Sequence, residues 1–289
     1  MKEPKPRKQR LDALLVELEL CDSRQRAQRV IRAGEVTVNG EPIDKPGTQV
    51  PVNAEIKLAV KPRFVSRGGE KLAKALEAFP IETGDRVCLD GGISTGGFTD
   101  CLLKSGAAKV YGVDVGYGQV AWSLRQDERV TLLERTNLRH LQPEELYTDP
   151  IQPRPNLGVV DVSFIGLVKV MPALWRLLEP PRELVLLVKP QFEVGRDRIG
   201  KKGVVRDVKD RAGAISDVYQ GAQKLGWHYW GLTGSPISGP AGNVEYLLWL
   251  RQDSPIDSPE HISALKDKLP DIFKTIAANP SESHYLEAT

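Results

Sequence analysis

Between residues 86 and 250, short apolar runs alternate with amphipathic stretches, and few architectures accommodate that rhythm. The runs expected as strands are Arg86–Leu89, Lys109–Val113, Val130–Glu134, Leu157–Val160, Leu184–Val188 and Glu245–Leu250, with helical stretches between them. A strand, a covering helix and a second strand pack as a parallel crossover. Repeating that unit predicts an α/β fold, a doubly wound and mainly parallel sheet.

The first unit of the series is also the most informative. Val87-Cys88-Leu89-Asp90 reads as a strand, Gly91-Gly92-Ile93-Ser94-Thr95-Gly96-Gly97 as a turn, and Phe98-Thr99-Asp100-Cys101-Leu102-Leu103 as the start of a helix. Glycines let the chain turn sharply and let a ligand approach the backbone. Asp114 ends the next strand 24 positions after Asp90, where a carboxylate can accept both hydroxyls of a ribose. A nucleotide-like ligand is therefore expected, either NAD or S-adenosylmethionine. A dinucleotide fingerprint would place its next glycine where Ser94 stands. The frame D-x-G-x-S-x-G looks instead like the first motif of class I methyltransferases.

Polar residues close several of the apolar runs. Asp161 follows Leu157-Gly158-Val159-Val160, Lys189 follows Leu184-Val185-Leu186-Leu187-Val188, Lys71 begins the helix preceding the first strand, and Glu245 follows Gly242-Asn243-Val244. In open α/β sheets ligands gather at the carboxyl ends of strands. Methylating a ribose hydroxyl requires its oxygen to be aligned with the methyl donor and a group to take or steer its proton. Lysines oriented by carboxylates suit that task.

The chain ahead of this domain differs in charge. Residues 1–75 hold 16 Lys and Arg against 10 Asp and Glu, whereas the remainder holds 24 against 28. A basic front on a near-neutral body suggests a polyanionic partner. Residues 1–9 read as a basic disordered arm. Leu11, Leu14, Leu15 and Leu18 then mark one helical stripe, which places Asp12 on the surface. Asp22-Ser23 can cap a second helix whose Ala27, Val30 and Ile31 face a core, Gly34 can stop it, and Asn39-Gly40 can turn a hairpin. The row S-R-Q-R-A-Q-R-V-I-R-A-G-E-V-T-V-N-G resembles the S-four RNA-binding domain, over residues 10–60. That resemblance implies that Arg24, Arg29 and Arg32 lie near RNA phosphates. A linker is expected at 61–65, the catalytic domain at 66–250, and an extension at 251–289. In that extension Ile262, Leu265, Leu269, Ile272, Phe273 and Ile276 are spaced to line a helix in spite of Pro270, either docked or as a mobile tail.

Taken together, G-G-E-K, D-G-G-I-S-T-G-G-F-T-D, G-V-D-V-G-Y-G-Q, E-R-T-N, D-V-S-F-I and K-P-Q-F-E-V-G-R resemble the TlyA family, in the family's order. Its members are rRNA (cytidine) 2′-O-methyltransferases, also labelled hemolysin A, that join an S-four module to an FtsJ-like catalytic domain. The resemblance implies a Rossmann-like class I methyltransferase fold behind a small α+β RNA-binding domain. It implies S-adenosylmethionine as cofactor and Lys71, Asp161, Lys189 and Glu245 as a catalytic tetrad, with Lys189 taking or steering the proton. Asp90, Gly92, Ser94, Thr95, Gly96 and Gly97 would form the loop around the methionine end, Asp114 would hold the ribose, and Asn137 would lie on the adenine side. Many relatives have Val-Gly-Ala or Ile-Gly-Ser after the first Asp, where this chain has Gly91-Gly92-Ile93. Arg67, Arg196, Lys201 and Lys202, the last three in a Gly-bounded loop, read as further RNA contacts.

Two other functions stand beside this one. A binding or ribosome-assembly factor without chemistry would not need the complete tetrad. A membrane-lysing protein would need a signal, a spanning segment or a lytic amphipathic helix, none of which is evident. The three cysteines, Cys21, Cys88 and Cys101, match no zinc spacing, so no metal is expected. The expectation is a cytoplasmic, monomeric enzyme acting on ribosomal RNA or ribosomal subunits.

Overall fold

A computed structural model describes residues 7–58, 62–149, 151–254 and 259–287, the backbone alone for 259–263. It divides the chain into two compact units, Met1–Pro62 and Arg63–Thr289. Residues 1–6 of the expected arm and 59–61 near the expected linker lie outside the described residues.

The first unit runs β1 (Lys8–Arg10), α1 (Leu11–Glu17), α2 (Arg24–Arg32), β2 (Val36–Val38), β3 (Glu41–Pro42), β4 (Gln49–Pro51) and β5 (Ile56–Leu58). Leu11, Leu14 and Leu15 of α1 and Ala27 and Ile31 of α2 pack with Val36, Val38 and Val50 into one small core. Ser23 caps α2 by accepting from the Arg26 N–H, and Gly34 ends it in the left-handed region. Asn39 and Gly40 both have positive φ, the geometry of a tight hairpin turn between β2 and β3.

Three expectations need correction here. Lys8 and Gln9, expected in a disordered arm, pair antiparallel with β4. Leu18, expected in the core, is 45% exposed because α1 ends before it. Asp12, expected on the surface, is fully buried. Its carboxylate accepts from Arg10, Arg24 and Gln28, and those partners hold its pKa far below the ordinary range, the Arg10 hydrogen bond most of all. The helical stripe located Asp12 on α1 but could not show that β1 and α2 would close over it.

The second unit begins with α3 (Gly68–Ala78), β6 (Val87–Gly91), α4 (Gly97–Lys104), β7 (Lys109–Val113), α5 (Trp122–Arg125), β8 (Val130–Leu133) and α6 (Pro143–Leu146). It continues with β9 (Leu157–Val160), α7 (Met171–Leu177), β10 (Glu183–Val188), α8 (Pro190–Glu193), α9 (Val208–Gln223), β11 (His228–Gly234), β12 (Tyr246–Arg251), α10 (Pro259–Ala278) and β13 (Ser283–Tyr285). Among the described residues the strands form one sheet in the order β13-β11-β12-β10-β9-β6-β7-β8. β8, β7, β6, β9 and β10 run parallel, while β12, β11 and β13 join antiparallel. The order reverses at β6, so the crevice outside the carboxyl ends of β6 and β9 is the expected ligand site of such a sheet.

The strands β11 and β13 were not among the expected ones. β11 carries Gly231 and Gly234, which weaken any strand pattern. Packing requires both: a Cβ on Gly231 would stand 2.7 Å from Phe79, and one on Gly234 would stand 2.1 Å from the Pro280 carbonyl oxygen. The C-terminal extension is docked. Leu269, Phe273, Ile276 and Ala277 are buried in the larger core, and β13 adds a strand to β11.

Two substitutions test these assignments. Phe273→Ala should lower stability by about 3–5 kcal/mol, read from denaturant unfolding, because its ring packs against Tyr219 and Tyr229. Asp12→Asn should cost about 1.5–3 kcal/mol at neutral pH, since charge-assisted hydrogen bonds are removed. A folded-state pKa below the unfolded value gives stability that is present above the unfolded pKa and lost on acidification. The difference between Asp12→Asn and wild type should therefore shrink as melts are taken below about pH 4.

Candidate active site

The glycine-rich turn is held by hydrogen bonds that sequence spacing alone does not reveal. Gly92, Ser94 and Gly96 all have positive φ. Gly92 lies against the end of β9, where a Cβ would stand 2.5 Å from the Asp161 carbonyl oxygen. Only glycine permits that approach. The left-handed turn at Ser94 aims its N–H at Asp114 Oδ2, 2.7 Å away, while the Gly116 N–H donates to Asp114 Oδ1 at 2.7 Å. Asp114 therefore organises the loops after both β6 and β7.

Two of the expected cofactor residues do not reach the cavity wall. Asp90 is fully buried beneath the turn, where Thr99 Oγ1 donates to its Oδ2 at 2.7 Å. Burial pushes its pKa up to about 7, helped by the charges of Asp161 and Asp114 and opposed by the Thr99 hydrogen bond. Gly96 is likewise covered, since Leu124 would stand 2.2 Å from a Cβ there. Both support the loop from behind.

The four candidate catalytic residues converge through strand register. Asp161 directly follows β9 and Lys189 directly follows β10, two parallel neighbours. β12 is antiparallel to β10, and the partners Val188 and Tyr246 set Glu245 at the same edge as Lys189. Lys71 approaches from α3. The result is two ion pairs: Lys71 Nζ to Glu245 Oε2 at 2.5 Å, and Lys189 Nζ to Asp161 Oδ1 at 2.5 Å. Lys189 also donates to Ser163 Oγ at 2.8 Å. Side-chain exposure is 11% for Lys71, 1% for Glu245, 10% for Lys189 and 22% for Asp161, so both pairs are largely desolvated. Positive and negative charge are balanced within the group.

Two adjoining hollows, of about 230 and 310 Å³, share Gly92, Ser94 and Asp161 in their walls. The first is also lined by Arg67, Lys71, Thr95 and Gly97. The second is lined by Asp114, Gln119, Asn137 and Phe164. Thus Lys71 and Asp161 line the first hollow and Asp114 and Asn137 the second, while Lys189 and Glu245 line neither and are linked to the first through Asp161 and Lys71. Arg67 lies at the cavity itself. Arg196, Lys201 and Lys202 are exposed on a loop tied down by Asn243, which accepts from the Val205 N–H at 2.9 Å and donates to the Gly203 carbonyl at 2.8 Å.

Sequence reasoning missed two residues beside this group. Phe164 has positive φ and is 91% exposed, with its ring 5.2 Å from that of Phe192. Glu193 accepts from the Leu167 N–H at 3.0 Å and so ties α8 to the loop that carries Asp161 and Phe164. Burial raises its pKa to about 7, against that hydrogen bond. Both residues sit inside the D-V-S-F-I and K-P-Q-F-E rows, but only the fold shows that these rows touch.

Comparison with known proteins finds a family for each unit. Residues 64–252 match the FtsJ-like methyltransferase family, and residues 9–56 match the S4 domain. The chain is 50% identical over 247 residues to the 16S/23S rRNA (cytidine-2'-O)-methyltransferase TlyA of Mycobacterium tuberculosis, spanning 85% of this chain and 90% of that one. It is 40% identical to Hemolysin A of Brachyspira hyodysenteriae, over 82% of this chain and 98% of the relative. A solved Streptococcus thermophilus structure named as a hemolysin shares 41% identity at a TM-score of 0.64, covering 94% of this chain and 99% of that chain. Identity at this level, over most of each chain, leaves one conclusion: the protein belongs to the TlyA family of FtsJ-like methyltransferases.

Proposed function

We propose that the protein is an S-adenosylmethionine-dependent enzyme that methylates the 2′ oxygen of a cytidine ribose in ribosomal RNA. The observation that carries this reading is the pair of desolvated lysine–carboxylate contacts, with Lys71 and Asp161 in the wall of one hollow and Asp114 in the wall of the hollow adjoining it. The M. tuberculosis relative bears the name of that activity.

The cavity residues fit the cofactor. Gly92 keeps the wall free of a side chain, Asp114 offers a carboxylate whose orientation is fixed by two backbone N–H groups, and Asn137 supplies an amide further along. Bound there, S-adenosylmethionine supplies an electrophilic methyl group. The chain's own task is to position the acceptor. Lys189, held by Asp161 and Ser163, would take or steer the proton of the ribose hydroxyl. Lys71, held by Glu245, provides a second ammonium that fixes the acceptor oxygen and balances charge. Phe164 presents an open ring at the rim, suited to stack on a base drawn out of its helix.

The RNA-binding reading rests on the first unit. Arg24, Arg29 and Arg32 are exposed along α2, and Asp12 braces Arg24 and Arg10 from inside. A buried acceptor that fixes exposed guanidiniums reduces what they lose in freedom on meeting phosphates. Among the described residues no helix is long and apolar enough to cross a membrane.

Transfer of a labelled methyl from S-adenosylmethionine to ribosomal RNA is the direct assay. Lys189→Ala should reduce it by at least about 100-fold with cofactor affinity held within about two-fold. A normal rate in that variant would refute the role of Lys189. Replacing Arg24 and Arg32 together should weaken RNA binding and reduce the slope of log K against log salt by roughly one for each phosphate no longer neutralised. An unchanged slope would remove the first unit from the proposed interface.

A further inference from the structure

Segment 114–122 carries three large apolar side chains that water should disfavour: Val115 is 69% exposed, Tyr117 65% and Trp122 74%. Single exposed apolar residues are ordinary, but three within eight positions mark a contact surface. The segment is also firmly fastened. Asp114 holds the Gly116 N–H, Glu134 holds the Gly118 N–H at 2.8 Å, and Gly116 accepts from the Arg135 N–H at 3.0 Å. The Ala121 N–H donates to the Thr95 carbonyl, and Leu124 of the same short helix as Trp122 fills the space above Gly96. The rings are therefore displayed from a rigid ledge keyed to the glycine-rich turn.

The ledge borders the cofactor hollow without being used by it. Val115 and Gln119 line that hollow, whereas Tyr117 and Trp122 do not. Two carboxylates, Asp114 and Glu134, are engaged by the ledge's backbone N–H groups, and the exposed Arg135 guanidinium lies 4.2 Å from the Tyr117 ring centroid. Rigid open rings with an arginine beside them suit unpaired bases, whose faces stack on aromatic groups while the guanidinium meets phosphate.

Resting on the function proposed above, we infer that the Tyr117–Trp122 ledge is a further RNA contact, a stacking platform for unpaired nucleotides that flank the methylated one. It lies on the catalytic unit itself and includes no residue of the tetrad.

The test uses the full chain with Tyr117→Ala, Trp122→Ala and the ring-retaining Tyr117→Phe and Trp122→Phe. Affinities are measured for S-adenosylmethionine, for deproteinised ribosomal RNA, and for ribosomal subunits from cells lacking the protein. Each alanine variant should bind deproteinised RNA about ten-fold more weakly and show a raised KM for RNA, while the phenylalanine variants stay within about two-fold of wild type. Cofactor affinity should not move. RNA affinity unchanged in folded alanine variants would overturn the inference. So would a loss confined to intact subunits, which would mark a protein contact, or a parallel loss of cofactor affinity, which would place the ledge in the cofactor site. If the wild-type protein fails to methylate ribosomal RNA at all, the proposed function falls instead, and the binding measurements still decide the ledge.

Discussion

The Lys71–Glu245 pair is the contact on which the catalytic end of the sheet depends. Glu245 is 1% exposed and Lys71 11%, so each charge has given up most of its water. Such a pair is tolerable only because each partner compensates the other, and losing either leaves an uncompensated charge inside the protein. The contact spans the chain, joining the helix that opens the second unit to the start of β12. It therefore fixes α3 against the sheet, and α3 brings Gly68 and Gly69 close to Gly97 of the cofactor loop. One electrostatic contact thus sets both the position of an ammonium and one wall of the cavity.

A second constraint is the crowding of carboxylates behind the turn. Asp90, Asp114 and Asp161 lie close enough for the last two to raise the pKa of the first, beyond the larger effect of burial. Their neighbours divide the work. Asp161 is matched by Lys189, Asp114 by two backbone N–H groups, and Asp90 by the Thr99 hydroxyl, with its Oδ1 lacking any hydrogen-bond partner among the described residues. For Asp90, fully buried with one oxygen unpartnered, the charged form is disfavoured, as desolvation requires.

Much of this was legible in the residues. Apolar runs ending in Asp161 and Lys189, and the Asp90-to-Asp114 spacing, encode positions along the sheet, because side chains at strand ends inherit the sheet's geometry. The burial of Asp12 was not legible, since it depends on β1 and α2 meeting over α1. β11 was obscured by glycines whose need lies in Phe79 and Pro280, distant in sequence. Asp90 and Gly96 matched the motif yet stand behind the loop, because a motif records which residues build a turn, not which of them face the ligand. Tyr117, Trp122 and Phe164 are of types as common in a core as at a surface. Only their exposure distinguishes them.

The central position of β6 has a kinetic consequence. It is the first strand of the sheet in chain order, yet it lies between β7 and β9, and Cys88 pairs with Leu157 across the whole intervening β/α segment. One edge of β6 can be satisfied by local pairing with β7, but the other stays open until β9 arrives. Non-local parallel pairing is slow because loop-closure entropy must be met before the contacts form. During refolding the unpaired edge of β6 is then a transient template for other chains, so yield should be limited by association of half-formed sheets more than by the final stability of the native one.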